Sequence, residues 1–176
     1  MTTGMSETLS TERLHLRKLN KGDAEFALRL LNTEGWLKYI GDRGVRTMND
    51  AEEYIRSRVL AHYEQYGFGP YGVSLSGSEE LVGFSGLFRR DFLEFPDIGF
   101  AFLPEHCGKG YAFESSEAVL REARDNMKLR KLLAFAMKDN FRSAKLLEKL
   151  GMKFDRMIAY PGEEEEMMLF SIDFGN

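Results

Sequence analysis

Two glycines one residue apart, Gly108 and Gly110, stand between an apolar run, Ile98 to Leu103, and a helical pattern from Phe113 to about Met127. No other stretch constrains the chain as strongly. A strand must end, turn tightly and open a helix within a few residues, and glycine supplies the backbone freedom that such a turn needs. The first N–H groups of that helix have no partner inside it, and the helix dipole favours negative charge there. The layout therefore suits a phosphate as well as a plain strand-to-helix connection. Two familiar nucleotide loops are excluded. No Gly-x-x-x-x-Gly-Lys-Ser/Thr occurs, and position 113 is Phe where a third glycine of Gly-x-Gly-x-x-Gly would stand.

Around this loop the pattern predicts a mixed α/β domain. Leu14 and Leu16 alternate with polar residues in a first strand, Thr11 to Leu19. Asp23 is placed to cap a helix over Ala24 to Leu31. Asn49 or Asp50 is placed to cap a second helix, reaching about Tyr66 and striped by Ile55, Val59 and Leu60. Phe68 to Leu75 and Glu80 to Phe88 read as strands joined by the turn Ser76-Gly77-Ser78. Gly83 and Gly86 in the second of these point to a bulge or a close backbone approach. Arg89 to Pro96 is read as an exposed connection, and Asp97 opens the central strand. Leu129 to Met137 is the next strand, which makes the strand, helix and strand around the glycine pair a parallel crossover unit. Asp139 or Asn140 caps a further helix that Gly151 ends, and Phe154 to Tyr160 pairs with Met167 to Phe174. The expected total is about seven strands and about four helices. Residues 11–176 form one domain and residues 1–10 a loose tail.

Composition narrows the partners. Net charge is −4, with 43% apolar and 30% charged residues among 176, which gives no basic footprint for nucleic acid or an acidic membrane. No apolar run approaches the roughly 20 residues needed to span a bilayer. The first ten residues lack a basic stretch followed by an apolar core, and the single cysteine cannot form an internal disulfide. A reducing cytoplasm is the expectation. One cysteine with scattered histidines gives no metal-ligand spacing.

Gly108-Lys109-Gly110-Tyr111-Ala112, preceded by Phe100-Ala101-Phe102-Leu103-Pro104-Glu105, strongly resembles the acetyl-coenzyme A loop of the GNAT N-acetyltransferases. Positions 105 to 110 fit that family's Gln/Arg-x-x-Gly-x-Gly/Ala spacing, with Glu105 at the first position. Asp139-Asn140-x-x-Ser143-x-x-Leu146-x-x-Lys149-Leu150-Gly151-Met152 resembles its second signature, one helix and one strand further on. Together with the opening Glu12-Arg13-Leu14-x-Leu16-Arg17-x-Leu19, the likeness covers about Glu12 to Phe174. It is similar in particular to the branch that acetylates ribosomal-protein N-termini. The Tyr-Trp pair frequent there is His106-Cys107 here.

The resemblance implies a largely antiparallel sheet that splays beside the glycine loop, and the aminolysis of a thioester. An amine attacks the acetyl carbonyl of acetyl-coenzyme A and the thiolate leaves, with no metal and no covalent enzyme intermediate. It also implies that Ala101, Phe102 and Leu103 offer backbone groups to the pantetheine arm, and that N–H groups from Cys107 to Ala112 take the pyrophosphate. Lys109 either adds charge beside that phosphate or is solvated, and the second is favoured. Asn140 holds the pantetheine amide while capping its helix. Ser143 is the candidate acid for the departing sulfur, or else a solvent-facing serine. Asp97 is the candidate base, through water, or else an ordinary strand-end carboxylate. Cys107 has no evident His–acid pair and is not expected to be a nucleophile. Trp36, Asp42, Arg43 and Arg46 are expected on the acceptor side, facing a peptide or small-molecule amine. Arg43 and Arg46 favour an acceptor with a carboxylate or peptide backbone, whereas Asp42 and the run Glu163 to Glu166 favour a cation. The competing function is a non-catalytic coenzyme A-binding regulator on the same fold. Acceptor identity, acyl length, and monomer or homodimer are left open.

Overall fold

The computed structural model describes residues 4–175. Eight strands form one sheet in the order β1-β2-β3-β4-β5-β6-β8-β7. They are β1 Thr8–Ser10, β2 Leu14–Lys18, β3 Pro70–Leu75, β4 Leu81–Phe88, β5 Asp97–Phe102, β6 Lys131–Met137, β7 Lys153–Ala159 and β8 Glu166–Asp173. Five helices flank it: α1 Ala24–Leu31, α2 Glu34–Tyr39, α3 over 48–66, α4 over 111–126 and α5 Phe141–Lys149. All neighbouring strands are antiparallel except β5 and β6. The mixed α/β architecture with a splayed, mostly antiparallel sheet is the one expected.

The sheet divides the core in two, because successive strand side chains point to opposite faces. Adjacent Leu81 and Val82 accordingly enter different cores. One face packs under α4 and α5 through Val119, Met127 and Leu147. The other packs under α1 to α3 through Leu30, Trp36, Ile55 and Val59. Close approach explains the two glycines of β4: a Cβ on Gly86 would lie 2.3 Å from Pro70 Cα, and one on Gly83 would lie 2.4 Å from the Phe102 ring.

The feature that positions the site is a gap in the sheet. β5 and β6 share a single register pair, Asp97 with Leu133, beside a bond from Leu133 N–H to the Pro96 carbonyl at 2.9 Å. Beyond it the two strands part. On its other edge β5 is fully paired to β4, from Phe88↔Asp97 to Gly83↔Phe102.

Three expectations are corrected. Residues 4–10 do not form a loose tail, since Thr8–Ser10 pairs with β2 and Met5 is 7% exposed. A methionine that short of the first strand carries no periodic signal, and its burial comes from contact with distant chain. Residues 1–3 lie outside the described residues. The helix α2, which carries Trp36, was not expected; Thr33 caps it by accepting the Trp36 N–H. The cap of α3 is Thr47, which forms a capping box with Asp50. Both long helices also contain π-helical stretches, Ile55–Leu60 and Glu122–Asn126. No helix among the described residues is long and apolar enough to cross a membrane.

Candidate active site

A cavity of about 990 Å³ runs from the glycine loop through the gap between β5 and β6 to the underside of α2 and α3. Its two ends are built differently.

At the first end the builder is backbone. Gly108 and Gly110 have φ of +75° and +85°, the left-handed region that glycine enters without strain. Gly110 stands at the N-cap of α4, and its carbonyl accepts the Glu114 N–H at 3.0 Å. Arg13 braces the loop from β2. Its Nε donates to Glu114 Oε2 at 2.6 Å, its Nη1 to the Lys109 carbonyl at 2.9 Å, and its guanidinium lies 4.8 Å from the Tyr111 ring centre. Thr11 Oγ1 adds a bond to Glu114 at 2.7 Å. Burial opposes the charge on Glu114, but these donors outweigh it and hold the carboxyl below its usual range. Neither Arg13 nor Glu114 was expected in the site, because nothing in the sequence links two residues a hundred positions apart. Arg142 approaches Gly108, with Nη2 3.7 Å from where a Cβ would stand, and makes no ion pair among the described residues. Glu105 pairs with Arg29 of α1, which accounts for an acid at that position.

Along β5 the pairing decides which backbone groups are free. Leu103 N–H donates to the Val82 carbonyl at 2.9 Å, so odd-numbered residues direct their polar groups into the β4 ladder. Phe100 and Phe102 therefore direct theirs into the gap. This corrects the expectation for Ala101, whose backbone groups join the β4 ladder, and for Leu103, whose N–H goes to β4 and whose carbonyl accepts the His106 N–H at 2.9 Å, and it adds Phe100. Across the gap Asn140 caps α5, accepting the Ser143 N–H at 3.2 Å, and both residues line the cavity. The Cys107 thiol points back to the carbonyls of Phe102 and Leu103 at 3.6 and 3.5 Å, with no histidine–acid pair beside it. His106 lines the cavity, and its buried Nδ1 has no partner.

At the second end the builder is side chains. Asp97 is 1% exposed, and Arg90 Nε donates to its Oδ1 at 2.9 Å. Burial pushes Asp97 up to about 6, against the pull of Arg90. Arg90 is itself fixed, its guanidinium lying 5.2 Å from the Phe88 ring centre and 4.8 Å from that of Phe135. The supposedly exposed connection 89–96 thus delivers a half-buried arginine to the site. Tyr54, Arg58 and His62 reach the same cavity from α3, spaced four residues apart on one helical face. His62 is held neutral: Nδ1 bonds the Phe68 carbonyl at 2.7 Å and Nε2 accepts the Arg89 N–H at 3.0 Å, while burial lowers its pKa. With both ring nitrogens engaged it has no free base site.

Trp36 and Arg43 line this end. Asp42 and Arg46 do not. They bond each other at 2.5 Å, and Arg46 also donates to Asn32 Oδ1 at 2.9 Å, so both are spent on shaping the exposed 41–47 loop. No cluster of three or more His, Cys, Asp or Glu converges among the described residues.

The chain is similar to known proteins in sequence and in fold. Residues 13–153 match the model of the acetyltransferase (GNAT) domain. The uncharacterized N-acetyltransferase YnaD of Bacillus subtilis (strain 168) is 26% identical over 145 residues, 82% of either chain. The fold superposes with a TM-score of 0.81 on RimL, a ribosomal-protein α-N-acetyltransferase solved with coenzyme A, at 15% identity over 95% of this chain and 98% of that one. It also superposes with a TM-score of 0.76 on spermidine N-acetyltransferase from Vibrio cholerae, solved with coenzyme A and spermine, at 20% identity over 93% and 96% of the chains. The chain belongs to the GNAT acetyltransferase family and is an acyltransferase.

Proposed function

We propose that the chain is an acetyl-coenzyme A-dependent N-acetyltransferase that acts on a primary amine. The donor lies in the gap between β5 and β6, and the acceptor enters under α2 and α3. The observation that carries this reading is the parting of β5 from β6 after one register pair. It leaves the N–H and C=O groups of Phe100 and the N–H of Phe102 facing a cavity that reaches the glycine loop, while the Cys107 thiol approaches the Phe102 carbonyl. Buried backbone groups without partners are costly, so such an edge favours a ligand with amides of its own, and pantetheine has two.

Acetyl-coenzyme A supplies an activated thioester carbonyl when bound. The chain's residues supply position and protons. The N–H groups of the loop, Cys107 to Ala112, with the α4 dipole and Arg142, suit its phosphates. Asn140 suits a pantetheine amide. On the acceptor side an ammonium must lose a proton before its nitrogen has a lone pair. Asp97 accepts that proton, directly or through one water, and its raised pKa keeps it both ionised and basic near neutral pH. Arg90 keeps the carboxylate in place. The Ser143 hydroxyl, across the gap, donates a proton to the departing sulfur.

The test is acetyl transfer from acetyl-coenzyme A to a panel of peptides, amino acids and polyamines, read by thiol release and product mass. A new N-acetyl amide on a panel member supports the reading. Thiol release without any acetylated amine would show hydrolysis instead.

A further inference from the structure

The acceptor end of the cavity carries a charge pattern that the proposed acetyl transfer does not itself require. Arg43 and Arg58 are exposed at its mouth, and Arg90 lies deeper. All three act on the hydroxyl of Tyr54. Burial disfavours ionisation of that phenol, and the charges of the three guanidinium groups oppose the effect. Arg90 is neutralised by Asp97. Arg43 and Arg58 make no ion pair among the described residues.

Of the acids that line the cavity, Glu34 and Glu163 are exposed and make no ion pair with these arginines among the described residues. Asp42 is bound to Arg46, and Asp23, which does line the cavity, is gripped by both terminal nitrogens of Arg17. Of the glutamate run only Glu163 lines the cavity, and Glu165 faces Lys138 at 3.6 Å. A second, independent feature points the same way. Trp36 is 6% exposed and lines the cavity, yet its indole Nε1–H has no hydrogen-bond partner. Indole is a donor only, and a buried donor without a partner is rare. It calls for an oxygen from the occupant, which an alkylammonium chain cannot provide.

We infer that the acceptor is a primary amine bearing a carboxylate, such as a peptide N-terminus followed closely by an acidic residue. The carboxylate is held at the cavity mouth by Arg43 and Arg58 with the Tyr54 hydroxyl, and an acceptor carbonyl is held by Trp36 Nε1. Planar guanidinium groups match carboxylates in a two-pronged way. This arrangement leaves the amine deeper in the cavity, towards Asp97. The inference rests on the acetyl-transfer reading and narrows its acceptor to one chemical class.

Two amidated dipeptides of equal length, alanyl-aspartate and alanyl-asparagine, isolate the charge. The readout is the ratio of their kcat/KM values with acetyl-coenzyme A, for wild type and for R43A/R58A, with spermidine as a third acceptor. A ratio of about tenfold or more in favour of the aspartate peptide, falling below about twofold in the variant, is expected from the loss of a charge-assisted contact. Both arginines are exposed, so the variant should retain its melting temperature. A ratio near one in wild type, or preferred turnover of spermidine, would overturn the inference while leaving acetyl transfer intact. If neither peptide is turned over, calorimetry on enzyme loaded with coenzyme A decides. Selective binding of the aspartate peptide that R43A/R58A abolishes supports the carboxylate site against a failed acetyl-transfer reading, and equal or absent binding of the two peptides refutes it.

Discussion

The two ends of one cavity, proposed here as its donor and acceptor ends, are made of different material. The donor end is main chain: two left-handed glycines, the first turn of α4 and the unpaired edge of β5. The acceptor end is side chain, with Trp36 from α2, Arg43 from a loop, Tyr54 and Arg58 from α3, Arg90 from a connection and Asp97 from β5. A backbone site fixes conformation rather than residue identity. A side-chain site fixes chemistry and is free to change acceptor without disturbing the donor.

The largest effect should come from the acceptor end alone. Asp97→Asn is expected to lower kcat about a hundredfold, the order associated with losing a positioned base, with the acetyl-coenzyme A dissociation constant unchanged. The pH profile sharpens this. Asp97 acts as a base only when ionised, so wild-type kcat/KM should rise through about pH 6, and the variant should lose that rise. Stability should move the opposite way. The folded pKa of Asp97 is raised from 3.8 to about 6, so its contribution to stability is full below the lower value and is lost as pH climbs through the upper one. Urea midpoints of wild type should therefore carry a fall across that window that Asp97→Asn lacks.

The donor end should break differently. Gly110→Val forces a branched side chain into φ +85°, 3.1 Å from Arg13 Nη2. We expect acetyl-coenzyme A affinity to fall about thirtyfold by calorimetry, of the order of the strain of a non-glycine left-handed residue. Ser143→Ala is expected to lower kcat and kcat/KM together by about tenfold, because a hydroxyl that protonates only the departing sulfur acts in the transition state. Equal kinetics, with chemistry shown to limit the rate, would remove Ser143 from the mechanism. The smallest effect is assigned to Arg13→Ala. It loosens the loop through Lys109 and Glu114 without removing an N–H group, and should weaken donor binding about threefold.

The same division explains what could be read from the sequence. The glycine turn and the cap at Asn140 are legible because backbone turns and helix caps demand particular residues at fixed spacing, whereas the roles proposed for Asn140 and Ser143 come from the family resemblance. The crossover and the splayed sheet follow from the strand and helix order. Arg90 and Tyr54 were not legible, because an arginine in a polar connection and a tyrosine in an amphipathic helix look the same whether or not they reach a shared cavity. Asp42 and Arg46 misled for a related reason. A loop with one acid and two arginines shows the charges but not that two of them neutralise each other. Phe100 in place of Ala101 and Leu103 is a matter of parity along β5, which only the register with β4 fixes. Strand β1 was missed because three residues are too few for alternation to show.

Residue-resolved amide hydrogen exchange with and without acetyl-coenzyme A tests most directly whether the donor is held by backbone in the gap. Exchange should slow at Phe100, Phe102 and the loop from Cys107 to Ala112. It should stay nearly constant at Gly99, Ala101 and Leu103, whose N–H groups face β4, and at Arg43 and Arg58. Slowing centred on the 41–47 loop and α3, with the glycine loop and the even positions of β5 untouched, would contradict the account.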